Sequence, residues 1–577
     1  MKHEEQDFEQ ERNSNCGFKE EVIAKQIAIT ALNHYNHALP QKGKPTPNKE
    51  WTVYAAIVAH DQNDGNFWTV SCATGTKCTA VCSATKSHFS KIDFQNDSDA
   101  KRHDWKNIKE GQLKGMILHD SHAEVLSRRG LMRVFMDEIR NDLQNYEMSV
   151  EQQNDDSKKS QTLLKRIGDF GKDSEISYAL RDNMQLCLYI SDSPCGDASI
   201  YDIAPEYNLT KGNNINGGSN FTGAKIIFSG DDKNEIGHKD GECIQDAGNN
   251  TTHLDSNGVV RIAREKDQIT SALRLKSGRS NLPSHLRSYS MSCSDKICKW
   301  ILIGMQGSGV LSHFFTEPIT LSHIVVSQDK RAIENSQVQA LDRALVSRAQ
   351  KTLDEVVEST PGFKDLRETN IGAKVYICEE IFTQSKSSAE LRDHEAKVFK
   401  SQKQSENSEN PIKKRKLNET IDNPDKAALT TKASKGESSI GVSINWQSTI
   451  NTHDTSNAND VEQTIGAKGV KQGKKSKTRK DVVKCASRLS RFSLMDESME
   501  ILKLLSTRKL CTPSLSFKDI DDHIFCKEIP TITYQNMKKI SGENKVQQMK
   551  KMLFHSSTKN HLSGWVKSSE ENDFVVL

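Results

Sequence analysis

LHDSHAEVLSRRGLMRVF (118–135) opens like a helix, yet its first turn carries a histidine and a glutamate two apart, and two arginines follow on a largely apolar helix. Ser121 or Asp120 can cap that helix, and Ser121-x-x-Glu124 matches a capping box, which would give the glutamate a purely structural job. His122-x-Glu124 alone carries little weight, because about one such pair is expected by chance in a chain this rich in histidine. Its meaning depends on what accompanies it.

A partner stands at SDSPCGDAS (191–199), directly after the strand-like LCLYIS (186–191). A Pro-Cys pair at a strand-to-helix turn places sulfur near the positive end of a helix, where thiolate is favoured. Zinc deaminases of nucleobases use His-x-Glu followed by Pro-Cys-x-x-Cys, with the glutamate outside the metal shell. Here Ala198 stands where the second cysteine would be, leaving His122 and Cys195, whereas an open catalytic zinc site takes three protein ligands. MSCSDKICKW (291–300) offers the third. Cys293 stands between two serines at an apparent helix start; Cys298 competes, but lies deeper in the helix and reads more naturally as a small buried residue. Three such ligands leave the fourth position for water, whose pKa zinc lowers to about 7. Glu124 beside that water could shuttle protons.

Around these motifs, strand-like runs at 51–60, 67–74, 186–191, 224–230, 319–327 and 374–380 alternate with apolar-periodic segments near 121–145, 292–305 and 334–357. That mixture predicts an α/β fold with one central sheet flanked by helices. A polar tail covers residues 1–17. Polar stretches at about 148–176, 206–256 and 384–480 read as insertions, the last with disordered flanks because too little apolar surface offsets ordering entropy. GVSINWQS (441–448) is a strand-like island inside it, and folded pattern resumes near 485. Hydrophobic residues are 35% of the 577, and net charge is only +3, so whole-chain charge does not announce a polyanion partner. No secretory or membrane-spanning segment is evident, so the 13 cysteines read as reduced thiols in a nuclear or cytoplasmic protein. PIKKRKLN (411–418) and KQGKKSKTRK (471–480) have the density of nuclear-import signals, or are solvated charge in a loop.

HAE, SPCGD and MSCSDK in that order, with GTKC (75–78) before and GMQG (304–307) after, resemble the deaminase domain of the adenosine deaminases acting on RNA and on tRNA. The resemblance covers most of residues 50–577 and implies a cytidine-deaminase-like mixed sheet enlarged by a C-terminal helical segment. GRS (278–280) and QALDRALVSR (339–348) look most like the tRNA branch, which implies conversion of the adenosine 3′ of the anticodon in alanine tRNA to inosine. Too few residues precede the catalytic region for a separate double-stranded-RNA module, and Arg279 stands where duplex editors carry a glutamate. The implied mechanism is attack of zinc-activated water on C6 of adenine, with Glu124 moving protons and Thr76 and Lys77 near the substrate. A monomer and no membrane partner are expected.

The two arginines acquire a purpose from the same resemblance. RNA-editing relatives bury inositol hexakisphosphate among basic side chains. Arg128, Arg129, Lys296, Lys299, Trp300, Gln306, Arg491, Tyr534, Lys538, Lys550, Trp565 and Asp573 match or replace those positions, and Asp120 with Lys296 and Lys276 would link that core to the zinc shell. So many interior cations would repel one another without a polyanion; the alternative is that they are solvated or paired with carboxylates. Editing of another RNA by the same chemistry, or RNA binding without catalysis, are the competing functions.

Overall fold

The computed structural model describes residues 19–79, 115–145, 162–167, 175–207, 270–276, 290–307, 309–359, 371–408, 436–449, 461–474, 483–516, 545–554 and 560–562, with short pieces between 218 and 260 and the single residues 222, 288 and 565. Tyr534, Lys538, Asp573, Arg279 and the 411–418 cluster lie outside them.

The strands that position the site are β1 Tyr54–Asp61, β2 Phe67–Thr74, β3 Thr76–Cys78, β4 Asp120–His122, β5 Met184–Ile190, β6 His323–Ser327, β7 Lys374–Cys378, β8 Val442–Gln447, β9 Glu462–Ile465 and β10 Val470–Lys471. The helices are α1 (19–33), α2 Ala123–Gln144, α3 Cys293–Ile303, α4 Ser336–Asp342, α5 Arg348–Ser359, α6 Lys386–Ser408, α7 Arg491–Arg508 and α8 Lys545–Leu553. Eight strands form one mixed sheet in the order β7-β6-β5-β1-β2-β8-β9-β10. β5, β6 and β7 run parallel, and every other neighbouring pair is antiparallel.

β1 shows why the sheet is covered on both faces. All eight of its residues are buried, and they alternate between two cores. Ala55, Ile57 and Ala59 join α2, α3 and α5 in the larger core, whereas Tyr54, Ala56 and Val58 pack under Ala24, Ile27, Ala28 and Ala31 of α1. α2 crosses the sheet at Gly130, where a Cβ would stand 2.9 Å from the Ser71 Cβ, so this helix can lie against β2 only with hydrogen there.

The 384–480 stretch departs from the expectation of disorder at both ends. Its second flank supplies β9 and β10, whereas the island is the strand it was expected to be, β8, between β2 and β9. Its first part is α6, although its sequence is poor in apolar residues. Polar anchors replace a hydrophobic face: Asp192 accepts from the Lys386 and Ser387 amides at 3.2 and 3.1 Å, and Arg392 pairs with Glu437 at 2.8 Å. Within 148–176, Leu164–Ile167 also forms a strand, paired with Ser177–Leu180. Among the described residues no helix is long and apolar enough to cross a membrane.

Because Ile444 of β8 is fully buried, Ile444→Ala should cost about 2–5 kcal/mol of unfolding free energy in denaturant titration. Val398→Ala on the exposed part of α6 should change it by less than about 0.5 kcal/mol.

Candidate active site

The opening stretch enters its helix from a strand. Asp120–His122 pairs with Thr76–Cys78, so Thr76 lies opposite His122, and α2 begins only at Ala123. This overturns both capping expectations. No side chain caps α2; Asp120 Oδ1 instead accepts from the His122 amide at 3.0 Å. Ser121 Oγ and Glu124 Oε2 are buried and make no hydrogen bond among the described residues. Glu124 is therefore not consumed by a capping box.

Cys195 follows β5 in a tight loop, and only a single 3₁₀ turn, Asp197–Ser199, comes after it rather than the expected helix. Gly196 makes the loop possible: its φ of +113° lies in a region L-residues avoid, and a Cβ would fall 2.3 Å from Ser292 Oγ. Cys293 opens α3, capped by Ser292, whose hydroxyl accepts from the Asp295 amide at 3.2 Å.

Three segments thus bring one imidazole and two thiols together. His122 Nδ1 is 3.8 Å from Cys195 Sγ and 3.6 Å from Cys293 Sγ, and the ligand atoms of all three lie within 4.8 Å of one another. A tetrahedral zinc ion with ordinary Zn–S and Zn–N bonds needs about 3.6 Å between sulfur and nitrogen. The donor set and its spacing fit that ion. Cys298, the competing ligand, is buried deeper in α3 and belongs to no ligand group among the described residues.

Behind the sulfurs, Lys276 Nζ lies 3.0 Å from Cys293 Sγ and 2.8 Å from Asp120 Oδ2, the contact expected of it. Lys296 and the Ser290 hydroxyl bind the same carboxylate oxygen. Burial alone would raise the Asp120 pKa, but the Lys276 and Lys296 ammonium groups outweigh it and hold the carboxyl well below its ordinary value. At Glu124 burial wins: its pKa is raised, although the charges of His122 and Lys276 pull it the other way. A hydrogen bond with Cys293 holds the Cys195 thiol well below its ordinary value.

These groups face a cavity of ≈ 320 Å³ lined by Thr76, His122, Glu124, Cys195 and Lys276, with Asp192, Tyr201 and Arg331 on another side. Thr76 stands where a substrate-binding residue was expected. Lys77 does not line the cavity; its ammonium meets the Ser439 hydroxyl. Cys78 and Asp192 were missed by sequence reasoning. Cys78 lay unremarked inside the GTKC motif, whereas nothing local marks Asp192 as the anchor of a helix almost 200 residues away.

The chain matches the adenosine-deaminase (editase) domain model over residues 105–569. It belongs to that family. The tRNA-specific adenosine deaminase 1 of Drosophila melanogaster is 28% identical over 338 residues, covering 58% of this chain and 61% of that protein. The human protein of the same name is 24% identical over 446 residues, covering 64% of this chain and 76% of its own. A double-stranded RNA-specific editase of the fly, Adar, is 25% identical over 285 residues, covering 49% of this chain and 30% of that protein. The editase domain model begins at residue 105, after β1, β2 and β3, yet β1 and β2 belong to the central sheet and β3 carries Thr76.

The described basic residues expected around a polyphosphate lie on α2, α3, α7 and α8. Arg128 lies over the Trp300 ring, 5.0 Å from its centroid, and Lys299 over the rings of Trp565 and Phe554 at 4.4 and 4.7 Å. Arg129 donates to the Leu489 carbonyl at 2.7 Å, two residues before Arg491 at the start of α7. Lys550 is on α8, which packs against α3. Gln306 is spent on backbone instead: its amide donates to the Ile303 carbonyl at 3.1 Å and accepts from the Ile319 amide at 2.9 Å.

Zinc content measured by atomic emission on purified protein should be one per chain and fall below about a tenth of that in Cys293→Ala, whereas Cys298→Ala should leave it unchanged.

Proposed function

We propose that this protein hydrolyses adenosine to inosine in tRNA, with His122, Cys195 and Cys293 holding a zinc ion and Glu124 moving protons beside it. The observation that carries this reading is Glu124 itself: a buried carboxylate whose Oε2 has no hydrogen-bond partner among the described residues, lining one cavity with His122 and Cys195, which stand with Cys293 at zinc spacing. Membership of the editase family and likeness to the tRNA-specific adenosine deaminases support the substrate class. When bound, zinc would supply the Lewis acidity that makes water nucleophilic near neutral pH.

The chain's own residues do the rest. Burial raises the Glu124 pKa, which suits a carboxyl that relays two protons: one from water to the purine ring nitrogen, then the one left on the attacking oxygen to the departing amine. Lys276, donating to Cys293 Sγ, balances the negative charge that two thiolates bring into a dry site. Asp120 fixes both lysines and the His122 backbone, so the ligand set is pre-organised. Glu124 is buried at this cavity, so the base must leave its stack to reach it, and extruding an unpaired loop base costs least. That favours the anticodon loop, and we assign the adenosine 3′ of the anticodon in alanine tRNA as the target.

We also assign an inositol hexakisphosphate to the patch around Arg128, Lys299, Trp300 and Trp565. Its support is the seating of two expected cations on aromatic faces, Arg128 over Trp300 and Lys299 over Trp565, with others carried on α2, α3, α7 and α8.

Incubation with tRNA transcripts, read as A-to-G changes after reverse transcription, should show inosine beside the anticodon of alanine tRNA. Glu124→Gln should keep zinc but lose about 10²- to 10⁴-fold in rate. No inosine in any tRNA from zinc-loaded wild-type protein would contradict the reading. Acid extraction of folded, active protein should release a highly phosphorylated inositol, and a phosphate-free extract would exclude it.

A further inference from the structure

A second charged cluster underlies the cysteines, and none of its members lines the cavity. Arg348, at the start of α5, is only 1% exposed and is the largest fully buried side chain among the described residues. Its Nη1 lies 2.8 Å from Asp295 Oδ1. The other Asp295 oxygen accepts from the Ser292 hydroxyl at 2.7 Å and the Arg274 amide at 2.9 Å. Cys293 sits between Ser292 and Asp295, so the Ser292–Asp295 pair brackets the thiol and ties its segment to the Arg274 backbone, which accepts from the Ser292 amide at 2.8 Å.

The Cys195 loop has a matching anchor. Arg343 donates from Nη2 to the carbonyls of Asp197 and Ile200 at 3.1 and 3.0 Å, and its Nε lies 3.6 Å from the Asp197 carboxylate. The two cysteine segments are also tied directly, since the Ser294 hydroxyl accepts from the Ala198 amide at 3.1 Å and donates to the Cys195 carbonyl at 3.0 Å.

What aims both arginines the same way is a break in helix geometry. Between α4 and α5 the chain makes a single π turn, Arg343–Ser347. On an unbroken α-helix, residues five apart point about 140° away from each other. Bonding of the i→i+5 type stacks them instead, which brings Arg343 and Arg348 to one face. A core built for stability alone has little use for this arrangement, because well-packed apolar residues commonly replace a buried ion pair without loss. What charge and hydrogen-bond direction add is a fixed position for the groups they hold.

We propose that Arg348 and Arg343 are positioning residues for the metal site: through Asp295 and Asp197 they hold the Cys293 and Cys195 backbones where their sulfurs meet His122. This rests on the reading that those three residues bind zinc. Partners lying outside a ligand shell typically change metal affinity 10- to 100-fold when removed.

The test is zinc affinity of the full chain, measured by competition with a chromophoric chelator, alongside melting temperature. Arg348→Met should weaken zinc binding about 10- to 100-fold, and Arg348→Lys should recover part of it. Arg343→Gln, at a partly exposed position and so mild for folding, should weaken it in the same direction and lower kcat with little change in KM. Leu353→Ala, a buried change on the same helix, should lower the melting temperature but leave zinc affinity near wild type. Wild-type affinity in both arginine variants, or an equal loss in Leu353→Ala, would overturn the proposal alone. Wild-type protein that binds no zinc would overturn the functional reading, and this one with it.

Discussion

Two sulfurs, an imidazole, a lysine ammonium and a glutamate share one nearly dry space in this protein, and such a collection is stable only when every charge has a counterpart. Asp120 is where that balance is struck. One of its oxygens accepts from the His122 amide, and the other takes Lys276, Lys296 and the Ser290 hydroxyl. Protonating or removing that carboxylate would strand two ammonium groups, one of them buried, a situation that costs far more than the loss of an ordinary ion pair. The opposing strands β3 and β4, the mouth of α2 and the start of α3 are all held by bonds that converge on this residue or its neighbours.

Glu124 stands apart from that balance, and its isolation is useful. A capping role would have locked the carboxylate onto backbone and fixed its proton. The strand pairing of Asp120–His122 with Thr76–Cys78 prevents this by delaying the helix until Ala123. The carboxyl then faces the cavity with burial raising its pKa. Local backbone geometry, not an added residue, converts a helix-start glutamate into a group able to carry protons.

Much of this site is written in short strings. His122, Glu124 and Cys195 announce themselves because chemistry places them within a few residues of helix or strand ends, and Cys293 because it begins a helix whereas Cys298 lies inside one. The Asp120–Lys276 contact was legible only through resemblance to a family. Long-range polar contacts were not legible. Arg348 reads as one more cation on an amphipathic helix, and its meeting with Asp295 is decided by a π turn that no spacing rule reveals. The α6 helix was hidden for a related reason: Asp192, Glu437 and Arg392 hold it, and pattern reading counts apolar faces. β8 was visible as an island, but its place beside β2, some 370 residues earlier, is a matter of topology.

The central claim is a metal held by one nitrogen and two sulfurs with a position left open beside Glu124. X-ray absorption at the zinc edge of the purified, full-length protein tests it most directly. The account predicts two sulfur neighbours near 2.3 Å and two nitrogen or oxygen neighbours near 2.0–2.1 Å. A shell of three or four sulfurs, which would close the site by drawing in another thiol such as Cys78, would contradict it.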